Sequence, residues 1–236
     1  MLGKKVLKDI ESLRLKKHRD ETQSFVAEGP KTVEELLATS PNHVLSVYGL
    51  EEWAQGKDAV QVVSEIELSR LSSLKTPNQV VAVLKQFESR EPDGTDFTLY
   101  LDAIQDPGNM GTIIRIADWF GVKHIVCSNG CADVYNPKVV QATMASIARV
   151  NIYYDEEDNW LNKQEMPLYA ASLHGRDLYS FQKIDNGILL IGNESKGLRR
   201  ELEELATDLI TIPRRGKAES LNAAVATGIL LSHLLQ

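Results

Sequence analysis

The second half of the sequence alternates between apolar strands and helical segments, a pattern that is compatible with few folds. The run GILLIG at 187–192 is continuously apolar, as is typical of a strand buried on both faces of a parallel sheet. Predicted helices lie between most of the strands FTLYLDAI, HIVCS, RVNIYY, PLYAASL, GILLIG and DLITIP. The pattern therefore predicts a parallel α/β sheet, whose ligands bind at the carboxyl ends of the strands.

Capping residues mark where the helices of this half begin. Asn109 is expected to cap a helix that extends to Phe120. Asn136 is expected to cap a second helix that extends to Ala148. Ser220 is expected to cap the last helix, which is apolar almost all round. Such a helix must be buried, either inside the domain or in a subunit interface.

Residues 89–97 have the composition of a linker, because they combine proline, glycine and several acidic residues with no apolar run. This places a first domain at 1–88 and a second at 98–236. The first domain mixes short strands with helices, including a helix predicted over about 5–18. We expect a small α/β domain there, followed by the larger parallel-sheet domain.

The charge distribution leaves two interpretations open. With 43% hydrophobic and 25% charged residues the chain is an ordinary globular one, and its net charge of −7 argues against a nucleic-acid partner. Residues 1–19 nevertheless hold seven Lys or Arg against two acidic residues, a local balance of +5. A second basic cluster consists of Arg199, Arg200, Arg214, Arg215 and Lys217. These clusters predict either phosphate contacts or solvated helix faces.

Several common kinds of site are missing from the sequence. There is no G-x-G-x-x-G fingerprint, and the glycines at 192 and 197 lack the Lys-Ser/Thr pair that completes a P-loop. The histidines and cysteines show no metal-ligand spacing, which predicts a protein without a metal. Cys127 and Cys131 are expected to be core thiols, and so few cysteines favour a reducing, cytoplasmic location. Neither a signal peptide nor a membrane span is predicted.

Three segments that follow apolar strands carry the polar residues of a candidate site. They are residues 101–122, 188–202 and 209–231. In the first, Arg115 lies among isoleucines, where an anionic ligand would stabilise its guanidinium. The alternative is a surface ion pair with Asp118, three residues on. In the third, the amide of Asn222 needs partners in the first turn of an apolar helix.

The order and spacing of these segments resemble the SpoU (TrmH-like) branch of the SPOUT RNA methyltransferases, from residue 97 to the C-terminus. The family's first motif contains an Asn and an Arg, which match Asn109 and Arg115. Its second and third motifs match Gly192, Glu194, Gly197, Ile212, Pro213, Ser220, Leu221 and Asn222. Thr143 and Ala145 stand where the family usually has Ser and Gly. The first domain, with FVAEGPKTVEELL, is similar to the RNA-binding domain that often precedes this catalytic domain.

The resemblance implies an activity, a cofactor and partners. The implied activity is transfer of the methyl group of S-adenosylmethionine to a ribose 2′-hydroxyl, with ribosomal RNA favoured over transfer RNA. A non-catalytic RNA-binding dimer of the same fold is the alternative. The resemblance also implies a C-terminal trefoil knot and a homodimer with each active site at the interface.

Residue roles follow from matching the motifs position by position. The resemblance implies catalytic roles for Asn109, Arg115, Glu194, Ser220 and Asn222. It implies cofactor contacts for Leu173, Gly192, Asn193, Glu194, Ile212, Leu221 and Asn222. The basic residues expected to contact RNA are Arg115, Arg214, Arg215, Lys217, Lys4, Lys5, Lys16, Lys17 and Arg19. Arg115 acts as a general base in one interpretation. In the other it stays protonated, as arginine does near neutral pH, and grips a phosphate.

Overall fold

A computed structural model describes residues 2–193 and 195–235 of the chain. The chain forms two compact units. The first consists of residues 1–88 together with 133–148, and the second of residues 89–132 together with 149–236. The sequence boundaries of the two domains, 1–88 and 98–236, stay a prediction.

The first unit is built around a four-stranded mixed sheet. Its elements before residue 89 are α1 (Lys4–Ser12), α2 (Lys16–Thr22), β1 (Ser24–Glu28), α3 (Pro30–Thr39), β2 (Val44–Gly49), α4 (Glu51–Ala54), β3 (Val60–Val62), α5 (Glu65–Leu71) and β4 (Val80–Lys85). The strand order is β1-β4-β2-β3, in which only the β2–β3 pair is parallel. The single helix predicted over 5–18 is wrong, because Leu15 is extended and splits it into α1 and α2.

The second unit contains the parallel sheet that the sequence predicts, and this prediction is confirmed. Its elements are β5 (Thr98–Leu101), α6 (Pro107–Trp119), β6 (His124–Ser128), β7 (Asn151–Asp155), β8 (Leu168–Asp177), β9 (Ile188–Ile191), α8 (Arg200–Leu205), β10 (Asp208–Thr211) and α9 (Ala223–Leu234). The strand order is β10-β8-β9-β5-β6-β7, and every pair is parallel. Strands β5 and β9 are buried along their whole length, which explains their continuous apolar sequences.

Residues 133–148 contain α7 (Pro137–Thr143), which packs against β1 within the first unit. Asn136 caps α7 as predicted, since its side chain accepts from the N–H of Lys138 at 3.0 Å. The predicted extension of this helix to Ala148 is wrong. Met144 and Ala145 adopt left-handed backbone conformations, with φ of 49° and 71°, and these end the helix.

Two other capping predictions are wrong by a few residues. The cap of α6 is Asp106, whose carboxylate accepts from the N–H of Asn109 at 2.8 Å. Asn109 therefore lies in the first turn of α6 and is not its cap. The cap of α9 is Asn222, whereas Ser220 lies two residues earlier in the exposed loop. Both shifts leave an asparagine side chain near the start of a helix.

Candidate functional site

The segments predicted to form the site emerge at the carboxyl edge of the parallel sheet. The loop after β5 leads into α6, the loop after β9 covers residues 192–199, and the loop after β10 covers 212–222. Strands β8, β9 and β5 are neighbours, and β10 flanks β8. The loops after β5 and β9 therefore leave adjacent strands, and the loop after β10 leaves the same edge with only β8 between, at the edge where ligands of parallel sheets bind.

A hydrogen bond joins two residues of the first and third predicted motifs. The Nδ2 group of Asn222 donates to Oδ1 of Asn109 at 2.7 Å, across 113 residues of sequence. The Oδ1 atom of Asn222 also accepts from the N–H groups of Ala224 and Val225, at 3.0 and 3.2 Å. The amide thus finds the partners that the sequence analysis required. It ties the start of α6 to the start of α9, and these two helices also pack against each other.

The guanidinium of Arg115 is exposed, and among the described residues it has no ion-pair or hydrogen-bond partner. The surface pair with Asp118, the alternative from the sequence, does not form. Asp118 instead accepts from Nη2 of Arg149 at 2.7 Å and from its Nε at 2.9 Å. Arg115 is consequently a cation available to an anionic ligand on the face of α6.

The loop after β9 is held by a compact set of backbone contacts. Asn193 and Gly197 exchange backbone hydrogen bonds at 2.8 and 3.0 Å. A Cβ on Gly192 would lie 2.3 Å from the carbonyl carbon of Gly197 and the nitrogen of Leu198, so only glycine fits there. The side chain of Asn193 donates to the carbonyl of Ala103 at 2.8 Å. Glu194, which the resemblance makes catalytic, lies outside the described residues.

A bulge in β8 presents apolar surface at the same edge. The register of β8 against β10 shifts by several residues between Leu209 and Ile210, so residues 171–175 loop out. The Thr211 hydroxyl holds this loop, because it donates to the Ser172 carbonyl at 2.9 Å and accepts from the N–H of Gly175 at 2.5 Å. The side chain of Leu173 is 62% exposed as a result.

Residues predicted to bind the cofactor therefore stand in a suitable environment for a purine ring. Leu221 is exposed in the loop before α9, and Ile212 is half-buried directly after β10. Together with Leu173 they offer apolar side chains on β8 and on the segment after β10, and Gly192 directly follows the neighbouring strand β9. Ser220 is exposed in the same loop. This donor set fits an adenosine, which backbone groups can hydrogen bond and apolar side chains can cover.

The predicted RNA-contacting residues fall into three groups. Arg214, Arg215 and Lys217 are exposed in the loop after β10, and Lys4 and Lys5 are exposed on α1. Lys16 and Lys17 are exposed on α2 but pair with Asp20 and Glu21 one turn later. The hydrogen bond that Lys16 donates to the Asp20 carboxylate raises the pKa of Lys16. These pairs neutralise part of the basic cluster, as a solvated helix face does.

Arg19 does not belong among the RNA contacts, and this part of the prediction is wrong. Its side chain is buried and donates to the carbonyls of Leu13 and Arg14 at 2.8 and 2.9 Å. It also forms an ion pair with Asp133 at 2.5 Å. A guanidinium that is shielded from solvent and held by two carbonyls and a carboxylate cannot reach a phosphate, so Arg19 stabilises the first unit.

Two buried polar residues at the same sheet edge were not among the site residues predicted from the sequence. Asp102 follows β5 directly, and Ser128 is the last residue of β6. The Ser128 hydroxyl donates to Asp102 at 3.1 Å and accepts from the N–H of Ala103 at 3.0 Å. A charged residue at the end of an apolar run such as FTLYLD was the available signal, because burial of a carboxylate requires partners.

The cysteine prediction holds only for one of the two thiols. Cys127 is fully buried in β6, and burial raises its pKa. Cys131 is half-buried, and a hydrogen bond from Cys127 lowers its pKa.

Within residues 2–193 and 195–235, no group of three or more His, Cys, Asp or Glu is placed to hold a metal ion. No helix in the described part of the chain is long and apolar enough to cross a membrane.

Comparison with known families matches both halves of the chain. The profile of the SpoU rRNA methylase family matches residues 96–232. The profile of the MRM3-like substrate-binding domain matches residues 4–82. The chain is also 35% identical over 242 residues to a protein of Bacillus subtilis named 23S rRNA (guanosine(2553)-2′-O)-methyltransferase RlmP. That match covers 97% of this chain and 95% of the relative.

Two solved structures are similar over nearly the whole chain. One is an rRNA methyltransferase of Sinorhizobium meliloti with AdoMet (S-adenosylmethionine) bound. It has a TM-score of 0.83 and 35% identity, and the match covers 98% of this chain and 94% of that one. The other is the SpoU methyltransferase AviRb of Streptomyces viridochromogenes in complex with AdoMet. It has a TM-score of 0.80 and 25% identity, covering 96% and 95% of the two chains.

Proposed function

Because the chain belongs to the SpoU rRNA methylase family, we propose that it transfers a methyl group from S-adenosylmethionine to a ribose 2′-hydroxyl of ribosomal RNA. The 2.7 Å hydrogen bond between Asn109 and Asn222 carries the proposal, since it brings together two motifs that lie 113 residues apart. Two relatives that match nearly the whole chain, from Bacillus subtilis and Sinorhizobium meliloti, are named for ribosomal RNA, which favours that substrate over transfer RNA. The predicted cytoplasmic location is part of this proposal.

The cofactor is expected to lie against the carboxyl ends of β8, β9 and β10. Backbone groups near Leu173, Gly192 and Ile212 would hold its adenosine, with Asn193 and Leu221 completing the site. When bound, S-adenosylmethionine supplies an electrophilic methyl group on a sulfonium, which is a good leaving group. The protein then has to align the 2′-hydroxyl and assist the loss of its proton. Alignment alone can supply about 7–11 kcal/mol of the barrier in favourable cases.

Arg115 is expected to bind RNA as a cation rather than to remove the proton itself. Its guanidinium is exposed and meets no carboxylate among the described residues, and arginine stays protonated in proteins. A cation that grips the phosphate next to the reacting ribose holds that ribose and stabilises the developing alkoxide. The released proton then passes to the phosphate oxygen. Asn109 and Asn222 orient this end of α6, and Arg214, Arg215 and Lys217 contact further phosphates.

A trefoil knot and a homodimer complete the proposal. The close approach of Gly192 to Gly197 and Leu198 supports a tightly threaded loop after β9. An apolar face on α6 and α9 supports the dimer, because Trp119 is 83% exposed and Val225 is half-exposed in an otherwise apolar helix. Light scattering of Val225→Asp tests the dimer. The wild-type mass should be twice that of the chain and the variant mass should fall towards one chain. A monomeric wild-type protein contradicts the dimer.

Tritium transfer from labelled S-adenosylmethionine tests the activity. The purified chain is incubated with separate pools of unmodified ribosomal RNA and transfer RNA. We expect label in ribosomal RNA, at one linkage that becomes resistant to alkali, as a 2′-O-methyl group makes it. Arg115→Ala should keep cofactor binding and lose transfer by about 10²-fold or more. Arg200→Ala is the matched control, because Arg200 pairs only with Glu204 of its own helix among the contacts of the described chain.

Three results would contradict parts of this proposal. Full transfer by Arg115→Ala removes the role assigned to that side chain. Label in transfer RNA alone changes the substrate class. Cofactor binding without label in either pool favours the non-catalytic RNA-binding dimer.

A further inference from the structure

Arg199 lies at the surface of the second unit, with its side chain 42% exposed, and a buried carboxylate holds it there. Its backbone N–H donates to Oδ2 of Asp102 at 2.9 Å, and its side-chain Nε donates to Oδ1 at 2.8 Å. Asp102 is only 1% exposed, so its charge needs these donors and the Ser128 hydroxyl for compensation. The sequence placed Arg199 in a basic cluster, yet one edge of its guanidinium faces the protein.

A second carboxylate holds the far end of the same guanidinium. Nη1 of Arg199 donates to Oδ2 of Asp158 at 2.7 Å, in the loop that follows β7. The two carboxylates raise the pKa of Arg199 above its usual range. A planar guanidinium between two carboxylates is fixed in orientation, which an ammonium group would not be. Arg199 therefore links the loops that follow β5, β7 and β9.

The two ends of the loop after β9 are attached to two consecutive residues, Ala103 and Asp102. Asn193 donates to the carbonyl of Ala103 at its start, and Arg199 binds Asp102 at its end. Asp102 and Ala103 are also the first residues of the segment that leads to Asp106 and α6. The conformation of the loop and the start of the helix that carries Arg115 are therefore held by one short stretch of backbone.

We propose that Arg199 is a positioning residue, which through Asp102 holds residues 192, 193 and 195–199, the described part of the loop after β9, in the conformation that accepts S-adenosylmethionine. The inference rests on the proposed function, since it takes the loop after β9 as part of the cofactor site. Arg199 does not contact RNA in this proposal, although its neighbours in sequence are basic. The side chain acts on the cofactor through the backbone of the loop.

Cofactor affinity and RNA affinity separate this role from an RNA contact. Arg199→Met removes the guanidinium while keeping an unbranched side chain. We expect its Kd for S-adenosylmethionine, measured by calorimetry without RNA, to rise on the order of tenfold or more. The KM for RNA should stay within about twofold of the wild-type value. Loss of a charged hydrogen bond to RNA would change it by more than that. Arg200→Met is the matched control, because that adjacent side chain is exposed and pairs with Glu204 on its own helix.

Two further variants distinguish loss of the interaction between Arg199 and Asp102 from a general loss of folding. Arg199→Lys retains the charge but not the planar fork, and should recover part of the cofactor affinity. Asp102→Asn combined with Arg199→Met should raise the Kd no further than the larger single change, since both remove one interaction. Titrations are run well below the unfolding temperature of each variant.

The outcomes distinguish this inference from the proposed function. A wild-type protein that binds no S-adenosylmethionine overturns the proposed function. Wild-type binding with an unchanged Kd in Arg199→Met overturns the positioning role alone. A raised KM for RNA with unchanged cofactor affinity assigns Arg199 to RNA and equally overturns it.

Discussion

Replacement of Asn222 with serine separates two roles of this side chain. Its Oδ1 atom caps α9 through the N–H groups of Ala224 and Val225. Serine caps helices about as well as asparagine, so the capping contribution to the free energy of unfolding should change by less than about 0.5 kcal/mol. The shorter serine side chain cannot reach Asn109, and the 2.7 Å hydrogen bond between the first and third motifs is lost.

The expected loss of activity follows from the strength of that bond. A hydrogen bond between neutral groups contributes about 0.5–1.5 kcal/mol, which corresponds to a fall of about 2- to 12-fold in rate if it is needed for alignment. Asn222→Ala should lose the same alignment and the cap as well. Loss of the cap costs about 1 kcal/mol, or about 2–4 °C in melting temperature for a chain of this size.

The assay compares initial rates of tritium transfer at saturating RNA and cofactor with thermal unfolding followed by circular dichroism. Both variants should be slow, and Asn222→Ala should be less stable than Asn222→Ser because it also lacks the cap. The double variant with Asn109→Ala should be no slower than the slower single variant, because one bond is removed in each case. Full activity of Asn222→Ser, or effects that multiply in the double variant, would refute the alignment role.

Two other substitutions test close packing and a surface carboxylate. Gly192→Ala places a Cβ 2.3 Å from backbone atoms of Gly197 and Leu198, so we expect about 1–3 kcal/mol lower stability and weaker cofactor binding by calorimetry. Gly216→Ala meets nothing within 4 Å and should unfold like the wild type, whereas equal melting temperatures for both variants would contradict the packing argument. Hydrogen bonds from Ser64 and Leu2 lower the pKa of Glu67 from 4.5 to about 2. This carboxylate therefore stabilises the fold above pH 4.5, and the contribution disappears as the pH falls towards 2. Acid unfolding of Glu67→Gln should be less steep across that range, and an unchanged pH profile would contradict it.

Local patterns were sufficient for the class of fold, and they predicted where a candidate site lies. Continuous burial of β5 and β9 requires apolar residues at every position, so the parallel sheet is visible in the sequence. Ligand loops follow the carboxyl ends of such strands, which pointed to the segments that contain Asn109, Arg115 and Asn222. Capping was predicted less well, because Asp106 and Asn222 compete with other polar residues within three positions.

Pairs between distant residues were decided only by the tertiary structure. Arg19 and Arg199 look like members of basic clusters in the sequence, but each meets a carboxylate far along the chain. Arg115 does not pair with the nearby Asp118, because Asp118 forms its ion pair with Arg149. A sequence shows which residues are charged and which face of an element is apolar. Only packing determines which charges are brought within hydrogen-bond distance, since that depends on the positions of several strands and loops at once.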